Sequence, residues 1–131
     1  MLAVDTNVLV RYVMQDDAAQ SARAATFLED ELPHRGGGYV SIGVVCEFDW
    51  VLSTRYRKRR PEVADALRRL LISDQLTFEH EAAVLRALDH DRVDIADAVI
   101  HEVGRVGGCK ATVTFDRRFA GLKGVEILLD R

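Results

Sequence analysis

Four carboxylates stand where short apolar segments would present them for chemistry: Asp5, Glu47, Asp97 and Asp116. Asp5 follows Leu2-Ala3-Val4 and precedes the polar pair Thr6-Asn7 and a second apolar stretch. A strand ending at Val4 and a helix starting near Thr6 or Asn7 place Asp5 at a strand's carboxyl end, where ligands bind in parallel α/β sheets. The same position suits a helix cap. Asp116 repeats the arrangement after Val113-Thr114-Phe115, with a turn-forming aspartate as the plainer reading. Glu47 lies in Val44-Val45-Cys46-Glu47-Phe48-Asp49-Trp50-Val51-Leu52, apolar nearly all round. A lone buried glutamate is costly unless paired or metal-bound. Asp49 lies about 200° further round the helix, so Glu47 is expected to face in and Asp49 out, an exposed Glu47 being the other reading. Asp94 and Asp97 share one side of a helix start. Asp94 reads as its N-cap, with Asp97 completing a capping box. Asp97 is expected inward, beside Val93, Ala96 and Ile100.

Taken together, these acids have a chemistry in common. If the strands are parallel and the first and fourth adjoin, Asp5, Asp97 and Asp116 open on one edge. Clustered carboxylates repel, and bare they hold protons or stay apart. A hard divalent cation such as magnesium or manganese resolves the repulsion and keeps waters for a substrate. The reaction implied is metal-assisted hydrolysis of a phosphodiester.

The elements that must position these groups are legible in the periodicity. Short strands are expected ending at Val4 and over residues 39–41, 76–78, 111–115 and 125–129. Helices are expected over residues 8–13, 20–32, 42–56, 62–72, 81–88 and 94–106. In the second helix Ala22, Ala25, Phe27 and Leu28 are taken to face the core. Asp16-Asp17 breaks the first helix and can cap the next, Pro61 suits a first helical turn, and Gly107-Gly108 ends the last helix. Gly36-Gly37-Gly38 lacks a following Lys-Ser or Lys-Thr, so it reads as a turn into a strand and not as a phosphate cradle. Strands alternating with helices argue for a parallel sheet covered on both faces. The length of 131 residues suits a single domain.

The net charge of −3 offers no global basic field. A polyanionic partner would need a metal or a local patch. Arg55, Arg57, Lys58, Arg59 and Arg60 form the one dense basic run, readable as a phosphate contact or as a solvated helix end. Arg117 and Arg118 follow Asp116 and could reach a phosphate. Cys46 and Cys109 form no framework and are expected reduced in a cytoplasm. No signal peptide and no membrane span are expected. His34, His80, His90 and His101 share no metal-ligand spacing and read as structural or exposed. Trp50 is taken as core beside the acidic pocket, and Tyr56 as packing, with stacking on a base as its other reading. An aspartate-phosphorylated enzyme is disfavoured, since Asn7 stands where a phosphatase needs a second aspartate. A receiver domain is disfavoured because Lys110 precedes its strand.

Val4-Asp5-Thr6-Asn7-Val8-Leu9-Val10, the Glu47-Phe48…Trp50-Val51-Leu52 helix, Asp94-Ile95-Ala96-Asp97-Ala98-Val99-Ile100 and Thr114-Phe115-Asp116-Arg117-Arg118-Phe119 occur in order. In this the chain resembles the PIN-domain ribonucleases and, among them, is most similar to the VapC toxins of toxin–antitoxin pairs. The resemblance spans the whole chain, as one PIN domain over residues 1–131. It implies a PIN-like three-layer α/β fold, with a central parallel sheet of four to five strands flanked by helices. It implies a magnesium-dependent endoribonuclease, with manganese possible, acting on RNA and neutralised by a cognate antitoxin protein. Asp5, Glu47, Asp97 and Asp116 fall on the family's acidic quartet, as catalytic residues and metal ligands. Thr6 and Thr114 would support the carboxylates by hydrogen bonds. Asp94 falls at an extra acidic position of some relatives. A homodimer through the early helices and a cytoplasmic location are also implied. The alternative is a non-catalytic PIN-like module that binds RNA or a protein partner.

Overall fold

The computed structural model of the chain describes residues 1–129. Backbone contacts divide it into two compact units, Met1–Glu79 and the residues from His80 onward.

The first unit is built on three parallel strands in the order β1-β2-β3: β1 (Leu2–Ala3), β2 (Gly38–Val40) and β3 (Leu76–Phe78). Helix α1 (Thr6–Met14) starts after β1, with Asp5 at its N-cap. Helix α2 (Ala18–Thr26) starts at Asp17, whose carboxylate accepts from the Gln20 N–H at 3.0 Å. The expected helix over 20–32 does not run on as one α-helix. It passes into a π turn (Phe27–Glu31) and a 3-10 turn (Leu32–Arg35). The buried residues are Ser21, Ala24, Leu28 and Leu32, while Ala22 is exposed. Ala24, Leu28 and Leu32 recur every fourth residue. That spacing is wider than the α period of 3.6, and a π turn accommodates it. The glycine run is the expected turn into a strand. Gly36 takes a left-handed φ of 84°, and a Cβ on Gly38 would lie 2.8 Å from Val4 and 3.0 Å from Leu32 and Leu76.

Helix α3 (Ile42–Thr54) carries two caps: Ser41 Oγ accepts from Val44 N at 3.2 Å, and Glu79 Oε1 accepts from Ile42 N at 2.8 Å. Its buried face is Val45, Phe48, Asp49 and Leu52. Burying Phe48 and Leu52 contributes roughly 1.5–3 kcal/mol each. Helix α4 (Arg60–Leu71) begins with Pro61 in its first turn and buries Val63, Ala64, Ala66, Leu67, Leu70 and Leu71.

In the second unit, α5 (Glu81–Leu88) packs on α6 (Ile95–Val106) through Ala83, Val84, Ala87 and Leu88 and through Ile95, Ala98 and Val99. Strands β4 (Thr112–Thr114) and β5 (Val125–Ile127) pair in parallel, joined through a 3-10 turn (Arg117–Gly121). Both strands are shorter than the sequence suggests, and Phe115 lies outside β4 as an exposed residue. His101 is buried and bonds Thr112 Oγ1 at 2.8 Å. Glu102, only 1% exposed, accepts from Arg86 Nε at 3.0 Å and His90 Nε2 at 2.9 Å, with Arg105 at 3.4 Å.

The expected single sheet of four to five strands is corrected to ladders of three and two. β1 has only two residues, and the other strands three each. Such strands offer few backbone groups, so each ladder closes after two or three paired positions. Among the described residues no helix is long and apolar enough to cross a membrane.

Candidate active site

The carboxyl ends of the strands in the first unit lead into its acidic residues. Val4 is followed by Asp5, β2 by Ser41 at the head of α3, and β3 by Glu79. Asp5 is exposed, and its Oδ1 accepts from the Thr6 N–H at 2.8 Å. Asp5 therefore does cap a helix, while the rest of its carboxylate is available to solvent. Asp5 and Glu47 line one cavity of about 340 Å³, together with Asn7, Arg11, Trp50 and Arg55.

The orientation of α3 is the reverse of the expected one. Glu47 is exposed and Asp49 is buried. Val45, Phe48 and Leu52 define the buried face, and their spacing carries Asp49 with them and leaves Glu47 outside it. Trp50, taken as core from the sequence, is 55% exposed on the cavity wall. Glu47 and Trp50, three residues apart, share that side of the helix. The unpaired burial that threatened Glu47 does not arise, and its carboxylate is free to meet a cation or a solute.

In the second unit, Asp94 occupies the N-cap position of α6, but its side chain accepts no capping hydrogen bond. The expected capping box is thus absent. Asp97, in the first turn, is half-buried as anticipated, whereas Asp94 is exposed. Burial pushes the Asp97 carboxyl above its ordinary pKa, and the charges of Asp94 and Asp116 push the same way, with Arg118 opposing them. Asp116 takes the end of β4. Arg118 grips it with Nε at 3.2 Å, Nη2 at 2.9 Å and its backbone N–H at 2.9 Å. The Arg118 hydrogen bonds hold the Asp116 carboxyl below its ordinary range.

Of the two threonines, Thr6 supports its carboxylate as expected, through its backbone N–H, and Thr114 does not bond its carboxylate. Thr6 contributes its backbone N–H to Asp5, while its Oγ1 is buried with no hydrogen-bond partner among the described residues. Thr114 Oγ1 accepts from the Asp116 backbone N–H at 3.0 Å. Thr6 thus supports the Asp5 carboxylate directly, and Thr114 braces the backbone that carries Asp116.

The basic run divides by task. Lys58 and Arg59 pair with Glu62 at 3.8 and 3.4 Å at the head of α4. Arg55 lies 5.9 Å from the centroid of the Trp50 ring. Tyr56 donates to Asp16 at 2.8 Å, and Arg11 bonds Asp16 at 3.1 Å and Gln20 at 2.7 Å. The sequence offered little hint of this network, whose members are up to 45 residues apart. Cys46 and Cys109 are not joined in a disulfide.

Among the described residues no three His, Cys, Asp or Glu side chains already form a metal-binding group. The donor chemistry nevertheless fits a hard cation. Asp5 and Glu47 offer carboxylate oxygens in one cavity, and Asp97 carries a repulsion that positive charge would relieve. The PIN domain family profile matches residues 2–125 of the chain. No curated protein matches it. The helices and parallel strands are consistent with that fold. PIN domains are typically metal-dependent nucleases that use divalent ions. The chain belongs to the PIN domain family.

Proposed function

We propose that this PIN-domain chain is a metal-dependent endoribonuclease, the toxin of a type II toxin–antitoxin pair of the VapC kind. Its catalytic carboxylates and metal ligands are Asp5, Glu47, Asp97 and Asp116, and its ion is magnesium, with manganese as a substitute. The observation that carries the reading is the charge environment of Asp97. Burial and two neighbouring acids disfavour its ionised form. In a purely structural site that is a defect; in a site that takes up a hard cation it is the driving force. A bound ion would supply a water of lowered pKa and stabilise charge on the attacking and leaving oxygens of the phosphodiester.

The chain's own residues do the rest. The Thr6 N–H holds the Asp5 carboxylate at the mouth of its cavity. The caps from Ser41 and Glu79 hold α3, and therefore Glu47, in place. Arg118 keeps Asp116 ionised, and the exposed Arg117 beside it is a cation for substrate phosphate. RNA is the substrate, a cognate antitoxin protein is the inhibitor, and the working form is a cytoplasmic homodimer.

The test uses purified wild type, Asp5→Asn and Asp97→Asn with defined RNAs, in magnesium and in chelator. The expected result is cleavage by the wild type in magnesium only. Cleavage that persists in chelator, or in both variants, overturns the mechanism. Co-purification with the product of an adjacent small gene, and loss of cleavage in that complex, tests the toxin assignment separately.

A further inference from the structure

Trp50 has no task in the mechanism just described, yet it stands in the same cavity as Asp5 and Glu47. It is the only tryptophan of the chain and is 55% exposed. A large aromatic side chain left this open forgoes much of its burial energy, so something should cover it. Its surroundings narrow the occupant. The Arg55 guanidinium lies 5.9 Å from the ring centroid, and among the described residues no carboxylate pairs with it. The remainder of the cavity is lined by the charged Asp5, Arg11 and Glu47, the polar Thr6 and Asn7, and Val10, Val51 and Tyr56. An aromatic anchor for a protein partner is ordinarily ringed by contacts that exclude water. Here four charged side chains, Asp5, Arg11, Glu47 and Arg55, share the wall with Trp50. A flat ring with a free cation beside it matches a nucleotide, whose base stacks and whose phosphate pairs.

We propose that Trp50 and Arg55 form a nucleobase subsite, in which a base of single-stranded RNA stacks on the indole and its phosphate meets the guanidinium. Arg55 pre-orients the ring by its cation–π contact. Tyr56, tied to Asp16 and Arg11, makes the neighbouring wall stiff. Glu47 lies on the same helical side as Trp50, so a stacked base delivers its attached phosphodiester toward the carboxylates. Every base has a π face, so the subsite positions RNA without reading its sequence. The catalytic consequence rests on the nuclease reading above; the binding does not.

The test reads both. In chelator, a single-stranded oligoribonucleotide should quench Trp50 fluorescence, and the same backbone with abasic residues should not. In magnesium, Trp50→Ala should lower kcat/KM roughly 5- to 100-fold, the range that one stacked base implies, while Trp50→Phe keeps most of it. A single abasic residue near the cut bond should cost the wild type a similar factor and cost Trp50→Ala nothing more. Additive losses, equal cleavage by Trp50→Ala, or equal quenching by the abasic strand overturn the subsite. So does a Trp50→Ala variant that merely converts a dimer to monomers with unchanged cleavage per chain. Base-dependent quenching without any metal-dependent cleavage by the wild type supports the subsite and overturns the nuclease reading instead.

Discussion

Helix α6 carries two acids five residues apart, Asp97 and Glu102, and they are treated in opposite ways. They lie about 140° apart round the helix, so they face different neighbours. Glu102 is the more deeply buried, and it is met by Arg86, His90 and Arg105. Burial works against its ionisation, yet the hydrogen bonds from His90 and Arg86 and the nearby positive charges hold its carboxyl below the ordinary range. Asp97 is less buried but has two other acids for company, and Arg118, the cation that opposes them, is spent on Asp116. The same stretch of chain therefore neutralises one carboxylate with care and leaves another under repulsion. Such unrelieved repulsion is what the proposed cation would relieve.

Exchange of each acid for its amide should separate the two. If Asp97 is a metal ligand of the proposed nuclease, Asp97→Asn should lower RNA cleavage by about 100-fold or more, while its melting temperature holds or rises slightly as the repulsion goes. Glu102→Gln should do the reverse. It should cost about 2 kcal/mol, a fall in Tm of roughly 6 °C, with cleavage per folded chain unchanged. The figure is below that for a wholly buried pair because Arg86 and Arg105 are about half exposed and can turn to water. A Tm loss in Asp97→Asn, or an activity loss in Glu102→Gln at full folding, would break the comparison.

Acid should report on Glu102 in a smaller way. Its folded-state pKa is depressed, so its stabilisation is complete above the ordinary carboxyl value and is lost as pH falls through the folded one. Thermal melts of wild type and Glu102→Gln should therefore converge toward the acid end of that window. A gap between them that stays constant with pH would assign the difference to packing and not to charge.

How far the sequence could be read follows from the same physics. Local signals were dependable: the Asp17 cap, the Pro61 first turn, the glycine turn before β2 and the half-buried Asp97 all come from neighbours within a few residues. Glu102 was invisible because its partners Arg86 and His90 lie 16 and 12 residues back on another segment. The facing of Glu47 was misread for a different reason. Helix α3 is apolar on nearly every side, so its pattern does not by itself choose which face is buried. Packing settled that choice, and with it the exposure of Trp50.

Beneath Asp5 sits the hydroxyl of Thr6, enclosed and bonded to nothing among the described residues. Removing an unsatisfied polar group from such a place should be neutral or favourable, so Thr6→Val is expected to melt at the same temperature or a little higher, by up to about 1 kcal/mol. A protein engineer would then have a single methyl-for-hydroxyl exchange with which to ask whether toughness and turnover are in conflict at this position. A tougher but slower variant would show that the idle oxygen is kept for the moment when substrate arrives.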